Sequence, residues 1–426
     1  MGGGGERAAD AEPAGTERRE VRRALILVED LPVPFDRRVW SEARTLRDAG
    51  WRVTVVCPRG DGARRWHERL EGIEIFRYPL PTTAAGLVNH VMEYAVAIPA
   101  TLILSLLAWR GRRFDVVHAC NPPDFLFPIG WLFRRLGSAF IFDQHDLAPE
   151  VYVAQGGRKG GGVHRFLLWC ERRTYRLADV VIATNETYRR FARERGGVPA
   201  DRIFVVRSSP DPNRIFRVEA DPAAKGGRPH LVVYLGTMGP QDGVDLFVRA
   251  ARAVLDRRPG AVRFVAMGGG NQLEPLRAMA RELGLGENDV HFTGRIPDEE
   301  VRRILSSADV AISPDPANDF NEYCTMNKTL EYMASGIPVA AFDLAETRVS
   351  AADAGVYATP NDPLELGELV VGLLDDPVRR AEMGRIGIER VAGPLAWSRS
   401  AERLLAAYEA AVERRTGPAG AGSIGA

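Results

Sequence analysis

The sequence predicts an α/β protein built from two doubly wound domains. Three observations support this fold class. Short apolar, β-rich runs alternate with helix-length segments, glycine or proline bounds most of these runs, and the alternation starts again near residue 230. Runs of this kind are typical of parallel sheets whose two faces are both covered by helices. A chain of 426 residues has room for two such domains, each with its own core.

The elements follow this pattern in order. The apolar run at 24–29 precedes an amphipathic segment at 37–50 that ends in a glycine, and further runs and helical segments continue from there. We expect the terminal helix to cross back onto the first domain. The predicted organisation is a disordered tail at 1–20, a first domain at 21–207, a proline- and aspartate-rich linker at 208–229, a second domain at 230–395, the terminal helix at 396–415, and a disordered tail at 416–426.

The composition is that of a soluble globular protein, with 45% hydrophobic and 26% charged residues. The net charge is zero, so we expect no nucleic-acid partner. Residues 21–207 nevertheless carry about nine more basic than acidic groups. This excess suits a first half that meets an anionic partner, although a solvated basic surface explains it equally well. The four cysteines form no CxxC pair, which favours a reducing cytosol and neither a zinc site nor a disulfide framework.

The segment 87–113 is unusually apolar. It carries no charge from Tyr94 to Trp109, a stretch that is shorter than the roughly 20 residues needed to span a bilayer. Trp109 is followed by arginines at 110, 112 and 113, as in an interfacial anchor. Two interpretations stay open: a buried core helix, or a helix in peripheral contact with the inner face of the plasma membrane.

Glycine-rich turns follow two strands of the second half. In parallel sheets, ligands bind at the carboxyl ends of the strands, and small residues there let backbone N–H groups approach a phosphate. Taken singly, each turn is explained as well by the turn itself. The segment 268–273 is not a dinucleotide fingerprint, because Leu273 stands where the third glycine is required. The glycine-rich turns are Gly236–Thr237–Met238–Gly239 up to Gly243, and Gly268–Gly269–Gly270.

Lys328 is one of only three lysines in an arginine-rich chain. It lies near the start of a helix predicted over 326–335, with Thr325 as N-cap and Gly336 just past the end. Glu331 is three residues on and shares a helix face with Lys328. A cation at a helix N-terminus suits a diphosphate, and a carboxylate suits the ribose hydroxyls. The pair therefore indicates a nucleoside diphosphate site, although a surface Lys–Glu pair remains the alternative.

The segment "TLEYMASGIPVAAFD" (329–343) resembles the donor-binding helix of retaining glycosyltransferases of family 4, which have the GT-B fold. "VHFTGRIPDEEVRRILSSADVAISP" is similar to the region before that helix. The opening "VEDLPVPFDRRVW", "FDVVHACNPPDF" and "FIFDQHDLAPEVY" resemble the acceptor side of the branch that acts in polysaccharide assembly. The resemblance runs from about residue 22 to 412. It implies two Rossmann-like domains that face each other across a cleft.

The family pattern is not complete in this chain. Glu331 matches the second glutamate of the E-x7-E motif, but position 323, where the first would hold the donor sugar, is a tyrosine, and Glu322 is one residue off. Thr237 and Asp242 occupy the Arg and Lys positions of the family's glycine loop. We therefore expect Lys328 to supply the charge that this loop lacks, with Arg295 as a second candidate. The predicted donor-binding residues are Gly236, Thr237, Gly239, Gly243, Gly268, Gly270, Arg295, Asn327, Lys328, Thr329 and Glu331.

On the acceptor side, His118 and His145 follow or end apolar runs and are expected to face the cleft. The resemblance implies a front-face displacement with no protein nucleophile. From their positions we expect His145, Asp146 and Lys328 to be the catalytic residues, although a structural role for the histidines stays open. No metal or other cofactor is expected. The predicted acceptor-binding residues are Arg37, Arg38, His118, Asn121, Asp143 and Glu150.

The predicted function is sugar transfer from a UDP- or GDP-sugar to a hydroxyl of a glycan or lipid-linked acceptor, in a cytoplasmic enzyme. Two alternatives remain at this point. A sugar-nucleotide epimerase of the same fold would convert the donor with no acceptor present. A non-catalytic sugar-nucleotide-binding or scaffold protein is kept open by Tyr323, because the residue that should hold the donor sugar is missing.

Overall fold

The structure, a computed structural model, describes residues 21–60, 62–80, 87–109 and 112–416. The chain forms two α/β domains, each built around one sheet, which confirms the predicted fold class. The tails expected to be disordered at 1–20 and beyond Thr416 lie outside the described residues.

The first domain contains an eight-stranded sheet in the order β3-β4-β2-β1-β5-β6-β7-β8. All its strands are parallel except β3, which pairs antiparallel with β4 at the edge. Its strands are β1 (Arg23–Leu27), β2 (Arg52–Pro58), β3 (His67–Leu70), β4 (Ile73–Tyr78), β5 (Val116–Cys120), β6 (Ala139–Gln144), β7 (Val180–Ala183) and β8 (Ile203–Val205). Its helices are α1 (Arg37–Asp48), α2 (Leu87–Trp109), α3 (Phe127–Arg135), α4 (Ala148–Ala154), α5 (Gly162–Leu177) and α6 (Glu186–Glu194).

The second domain contains a six-stranded parallel sheet in the order β11-β10-β9-β12-β13-β14. Its strands are β9 (His230–Leu235), β10 (Val262–Met267), β11 (Val290–Gly294), β12 (Val310–Ser313), β13 (Val339–Phe342) and β14 (Gly355–Ala358). The remaining helices are α7 (Val244–Arg257), α8 (Leu273–Glu282), α9 (Asp298–Ser307), α10 (Asn327–Ala334), α11 (Ala345–Ala351), α12 (Pro363–Asp375), α13 (Pro377–Ala392) and α14 (Trp397–Thr416).

Helix α1 shows how local sequence sets an element and its packing. Asp36 caps it by accepting a hydrogen bond from the Val39 amide at 3.0 Å. Val39, Ala43 and Leu46 recur at helical spacing and are fully buried against the sheet. The helix therefore begins directly after the loop that follows β1, at the carboxyl edge of the first sheet.

Helix α14 returns from the second domain and packs on the first sheet. Its Leu404 and Tyr408 belong to the core of the first domain. The Trp397 indole donates a hydrogen bond to the Thr45 hydroxyl at 2.9 Å, which joins the start of α14 to α1. The last helix thus ties the two domains together.

Candidate active site

The two domains meet with the carboxyl ends of their strands turned toward each other. Polar contacts cross between them at several points. The Asn185 amide donates to the Tyr323 carbonyl at 2.9 Å, and the Thr187 hydroxyl donates to Glu346 at 2.8 Å. Arg37, from the start of α1, reaches Asp298 at 3.4 Å. The cleft between the two edges is therefore the place to build the site, as expected for open α/β sheets.

On the donor side, glycines let three loops after β9, β10 and β12 pack at backbone distance. A Cβ atom on Gly268 would lie 1.9 Å from the Gly236 carbonyl oxygen. One on Gly243, whose φ is +65°, would lie 2.1 Å from the Pro314 oxygen. The Gly236 amide donates to Met267 and the Gly268 amide to Gly294, both at 3.0 Å. Close packing therefore accounts for these glycines, and two of the amides are already used between the loops.

Lys328 lies in the first turn of α10, where its ammonium is buried and forms an ion pair with Asp315. Its side chain passes beside Gly236, because a Cβ atom there would be 3.2 Å from the Lys328 Cε. Although burial acts to lower the pKa of Lys328, the Asp315 and Asp242 carboxylates outweigh it and raise the pKa above its usual value. Lys328 is therefore a fixed, permanently charged cation at the carboxyl edge of the second sheet.

Asp315 is the residue that sequence reasoning missed here. It directly follows β12 and accepts a hydrogen bond from the Ser313 hydroxyl at 2.5 Å. Thr329 lies fully buried, and its hydroxyl is 3.2 Å from that of Ser313. The side chain of Thr329 thus supports this network from behind Lys328, instead of lining the cleft. The signal was present in the sequence, because Asp315 stands two residues past a strand end.

Glu331 occupies the next turn of α10, on the same face as Lys328. Its Oε1 accepts a hydrogen bond from Arg214 of the linker at 2.5 Å, and the Arg214 Nε donates to Asp298 at 2.9 Å. Arg37 of the first domain also contacts Asp298, so this network spans the cleft. Arg214 has no local sequence signal, since its partners lie 84 and 117 residues further along the chain.

The residues near the missing first glutamate make contacts of their own at the domain boundary. The Tyr323 ring packs edge-on against Phe191 of the first domain, with centroids 5.2 Å apart. Glu322 accepts a 3.4 Å hydrogen bond from the amide of Ala345. Thr325 is not the N-cap of α10 that the sequence predicts: the cap is Met326, and the Thr325 hydroxyl accepts from Asn185 at 3.1 Å.

Two further donor candidates lie at the mouth of the site. Asn327 is exposed at the first position of α10. Arg295 is exposed just after β11, and a Cβ atom on Gly269 would be 3.5 Å from its Cγ, so the Arg295 side chain lies over the second glycine turn. Gly239 begins a short turn, and its own amide donates a hydrogen bond to the Asp242 carboxylate at 2.9 Å. The Thr237 carbonyl accepts a hydrogen bond from the Tyr234 hydroxyl at 2.6 Å.

On the acceptor side, several predicted contacts are buried in a charged cluster. Arg38 pairs with Asp143 at 2.9 Å and with Glu42 at 3.2 Å. His118 differs from the expectation that it faces the cleft, because it lies within β5, is fully buried, and bonds the Tyr408 hydroxyl of α14 at 2.8 Å. The period-2 alternation of a strand whose two faces are both buried cannot show this direction. Arg38, His118 and Asp143 are thus placed to hold the sheet edge.

His145 and Asp146 lie above this cluster, just past β6. Asn121 clamps both, since its Oδ1 accepts from the His145 amide at 2.6 Å and from the Asp146 amide at 3.2 Å. The His145 Nε2 is 2.7 Å from Asp143, and 16% of its side chain stays exposed toward the cleft. The structure therefore brings His145, Asp146 and Asn121 together at the acceptor edge. Glu150, which lies on α4, instead forms an ion pair with Arg195 at 2.6 Å.

Further carboxylates line the same edge. Burial, and then the neighbouring Glu93 and Asp30 carboxylates, raise the pKa of Glu29 to about 8. Asp30 is exposed at its surface, yet desolvation of its carboxyl group and then the Asp146 carboxylate raise its pKa to about 7. Both residues follow β1, a position that could have identified them from the sequence. This edge of the first sheet is therefore rich in carboxyl groups whose pKa values are raised.

The cluster beneath this edge contains metal-binding residue types. Ligand atoms of Glu42, Cys120, Asp143 and His145 lie within 4.8 Å of one another. The Arg38 guanidinium hydrogen-bonds Asp143 and forms an ion pair with Glu42, and burial raises the pKa of the Cys120 thiol well above its usual value. A metal ion requires a thiolate and free carboxylates. The donor set therefore fits an ion-pair cluster with Arg38 as its cation, and does not fit a metal.

Comparison with known proteins agrees with this architecture. Residues 36–208 match the family model described as a glycosyl transferase 4-like domain, and residues 229–376 match the model of glycosyl transferases group 1. The chain is 29% identical to a D-inositol 3-phosphate glycosyltransferase from Thermobispora bispora over 331 residues, which is 73% of this chain and 74% of that protein.

Solved structures show the same fold. A sucrose-phosphate synthase from Thermosynechococcus elongatus superposes with a TM-score of 0.74 at 17% identity, over 91% of this chain and 98% of that one. HepE of Anabaena, in complex with UDP and glucose, gives a TM-score of 0.68 at 14% identity, over 91% and 99% of the two chains. The chain is a glycosyltransferase of the GT-B fold, with a glycosyl transferase 4-like first domain and a group 1 second domain.

Proposed function

We propose that this enzyme transfers a sugar, with retention of anomeric configuration, from a UDP- or GDP-sugar to a hydroxyl group of a glycan or lipid-linked acceptor. The reaction would serve the synthesis of a cell-surface polysaccharide or glycoconjugate. The related HepE structure contains UDP and glucose, which supports a nucleotide-sugar donor. The protein would work in the cytoplasm, at the inner face of the plasma membrane.

The observation that carries the proposal is that Lys328 and Glu331 lie next to each other on one face of α10 at the cleft. The ammonium of Lys328 has three N–H donors, and Asp315 takes one of them. Oε1 of Glu331 is held by Arg214, which leaves Oε2 for the ribose hydroxyls. A diphosphate over Lys328 and a ribose at Glu331, one turn apart, match the two ends of a nucleoside diphosphate.

Binding a diphosphate at the donor site requires more positive charge than Lys328 provides. Together with Asp315 and Asp242, Lys328 leaves a net negative charge, so it cannot alone supply the charge missing from the glycine turn. The amide groups at the start of α10 add a partial positive charge. We therefore propose that Arg295, and Arg37 from the facing domain, complete the diphosphate site. Both arginines are exposed at the cleft.

In this proposal the protein acts by positioning and by stabilising charge. A donor phosphate oxygen takes the proton from the acceptor hydroxyl as that hydroxyl attacks from the side of the leaving group. Lys328 and the arginines stabilise the negative charge that develops on the diphosphate. His145 and Asp146, held by Asn121, orient the acceptor hydroxyl.

The acidic acceptor edge distinguishes acceptor classes. The curated relative is named for an acceptor that carries a phosphate. In this chain the edge presents the carboxyl groups of Glu29, Asp30 and Asp146, whose raised pKa values leave Glu29 largely protonated at neutral pH. A carboxyl group can exchange hydrogen bonds with the hydroxyl groups of an uncharged sugar ring in either protonation state, whereas a phosphate is best bound by cations. We therefore propose an acceptor that presents an uncharged sugar at this edge.

The test is calorimetric titration with UDP, GDP, their common sugar conjugates and the free nucleosides. One nucleotide should bind the wild type. Lys328→Ala should weaken the diphosphate at least tenfold but leave the nucleoside unchanged, because removing a charge-assisted contact costs about 1.5–3 kcal/mol. Glu331→Gln should weaken both ligands. Arg379→Gln, an exposed change on α13, is the matched control.

The outcomes separate the alternatives. Equal affinity of wild type and Lys328→Ala for the diphosphate would overturn the assignment of Lys328. Nucleotide binding with no turnover on any acceptor would favour a scaffold protein. Conversion of the donor with no acceptor present would favour an epimerase.

A further inference from the structure

Helix α2 buries small and polar side chains and exposes large apolar ones, the reverse of the usual pattern in a water-soluble domain. Its inward face, packed on the sheet, carries Ala97, Thr101 and Ser105, which are all buried, and Ser105 bonds the Thr101 carbonyl at 2.6 Å. Its outward face carries large apolar side chains. Among the described residues, Met92–Trp109 is the one segment long and apolar enough to cross a membrane, with a mean hydropathy of 1.6, and only 17% of it is buried. The buried-core interpretation of this segment therefore fails.

The outward residues of α2 form one stripe. Met92 is 58% exposed, Val96 39%, Ile103 57% and Leu107 44%. At 100° per residue these positions fall within about 60° of one another on the helix, and they span roughly 22 Å along it. Leu106 borders the same stripe. Soluble monomers rarely expose contiguous apolar patches of this extent, which usually mark an interaction site.

A row of aromatic rings runs from the other side of α2 onto α5, because at 100° per residue Tyr94 lies on the same side of the helix as Thr101. Tyr94 of α2 packs edge-on against Phe125 at 4.7 Å, and Phe125 lies 6.4 Å from Phe166 of α5. Phe166 stacks with Trp169 at 6.0 Å, and these last two are 52% and 46% exposed. On α3, Trp131 is exposed as well. Exposed Trp and Phe side chains are typical of proteins that bind at the membrane interface, between the headgroups and the acyl chains.

Arginines surround the apolar surface. Arg135 lies over the Trp131 ring at 5.1 Å, and Arg173 lies over Trp169 at 5.4 Å. The one acidic residue of α5, Glu171, is buried and paired with Arg195 at 2.6 Å. Within the part of the chain that the structure describes, none of the exposed arginines of this surface forms an ion pair; they are Arg112, Arg113, Arg135, Arg165, Arg172, Arg173 and Arg176. The basic excess of the first half is thus concentrated here and not at the acidic acceptor edge.

We propose that α2, α3 and α5 together form a docking face for an anionic lipid bilayer. The apolar stripe of α2 and the exposed rings of Trp131, Phe166 and Trp169 would insert at the headgroup level, and the arginines would bind lipid phosphates. This inference rests on the membrane location proposed above and adds α3 and α5 to it. The Tyr94–Phe125–Phe166 bridge lies beside the acceptor edge, because Tyr94 neighbours Glu29 and Asp30. A lipid-linked acceptor could therefore leave the cleft along this bridge without leaving the membrane surface.

The test is flotation of the full chain with vesicles of phosphatidylglycerol and phosphatidylcholine, and with phosphatidylcholine alone. We expect strong binding to the anionic vesicles and weak binding to the zwitterionic ones. The double variant Arg172→Gln, Arg173→Gln should lower the partition coefficient about thirtyfold, since each basic group near such a surface contributes about fivefold. Phe166→Ser with Ile103→Ser should lower it at least tenfold.

The matched control is Val378→Ser with Arg379→Gln, which removes an exposed apolar residue and an arginine from α13 and should leave binding unchanged. Thermal unfolding of each variant monitors folding, and the arginine pair is exposed enough to be replaced safely. No binding to anionic vesicles, or equal binding by all variants, would overturn the proposal. The proposal would also be overturned if light scattering showed that the wild type is a dimer and that Phe166→Ser with Ile103→Ser is a monomer, because a second copy of the chain would then cover the face. UDP titration is independent of vesicle binding, so failure of the donor site and failure of this face are distinguishable.

Discussion

Arg37 and Arg38 are neighbours in sequence, yet the structure assigns them opposite roles. The Arg38 side chain is 7% exposed and pairs with Glu42 and Asp143, which are both fully buried. Arg37 is 47% exposed and contacts Asp298 across the cleft. We predict that Arg38→Met destabilises the first domain strongly, whereas Arg37→Met leaves its stability almost unchanged and affects the reaction.

The magnitude follows from the buried charges. Arg38, together with His145 and His118, holds the pKa of Asp143 well below its usual value, although burial alone would raise it. Removing one partner of a buried ion pair costs about 3–5 kcal/mol, because the other charge is left uncompensated. An exposed pair such as that of Arg37 contributes less than about 1 kcal/mol.

The assay is urea unfolding followed by tryptophan fluorescence at pH 8 and pH 5. Asp143 has a depressed folded-state pKa, so its stabilisation is present above the unfolded-state value of 3.8 and is lost as pH falls through the folded-state value. Without Arg38 the carboxyl can take up a proton at a higher pH. The destabilisation of Arg38→Met should therefore be smaller at pH 5 than at pH 8. A loss below about 1 kcal/mol at pH 8 would refute the cluster as we describe it.

Three further predictions concern separate parts of the molecule. The folded-state pKa of Glu29 is raised to about 8 from 4.5, so its burial destabilises the fold increasingly as pH rises through that window; Glu29→Gln should be more stable than wild type at pH 9 and similar to it at pH 5 in urea unfolding. Arg214→Met should weaken nucleoside binding several-fold in calorimetry, because Glu331 loses the partner that orients it, and an unchanged affinity would contradict that role. Incubation with EDTA should leave donor turnover unchanged, since Arg38 is the cation of the Glu42–Asp143 cluster; a loss that zinc restores would show the opposite.

The sequence predicted those features that local signals determine. The two-domain alternation predicted both sheets, and α10 begins and ends within one residue of the predicted 326–335, with Gly336 at a φ of +71° just past its end. These features depend on spacing, caps and glycine conformation, which neighbouring residues encode.

Features that depend on distant partners were not predictable in the same way. Arg214 and Glu331 are joined only by the folded chain, and His118 points to Tyr408, 290 residues away. Burial of α2 was also undetermined, because a buried core helix and a membrane-facing helix share the same composition. Only the folded chain shows that Ala97, Thr101 and Ser105 lie on the buried side of α2 and that its large apolar side chains are exposed.

The central claim is that the donor bound at Lys328 and Glu331 loses its sugar to an acceptor with retention. The most direct measurement is proton NMR of the glycoside formed when the enzyme is incubated with the nucleotide sugar that it binds and with neutral alkyl glycosides as acceptors. An α-linked donor should give an α-linked product, at a rate that Lys328→Ala lowers strongly while Arg379→Gln does not. A β-linked product, or turnover that is indifferent to Lys328→Ala, would contradict the account.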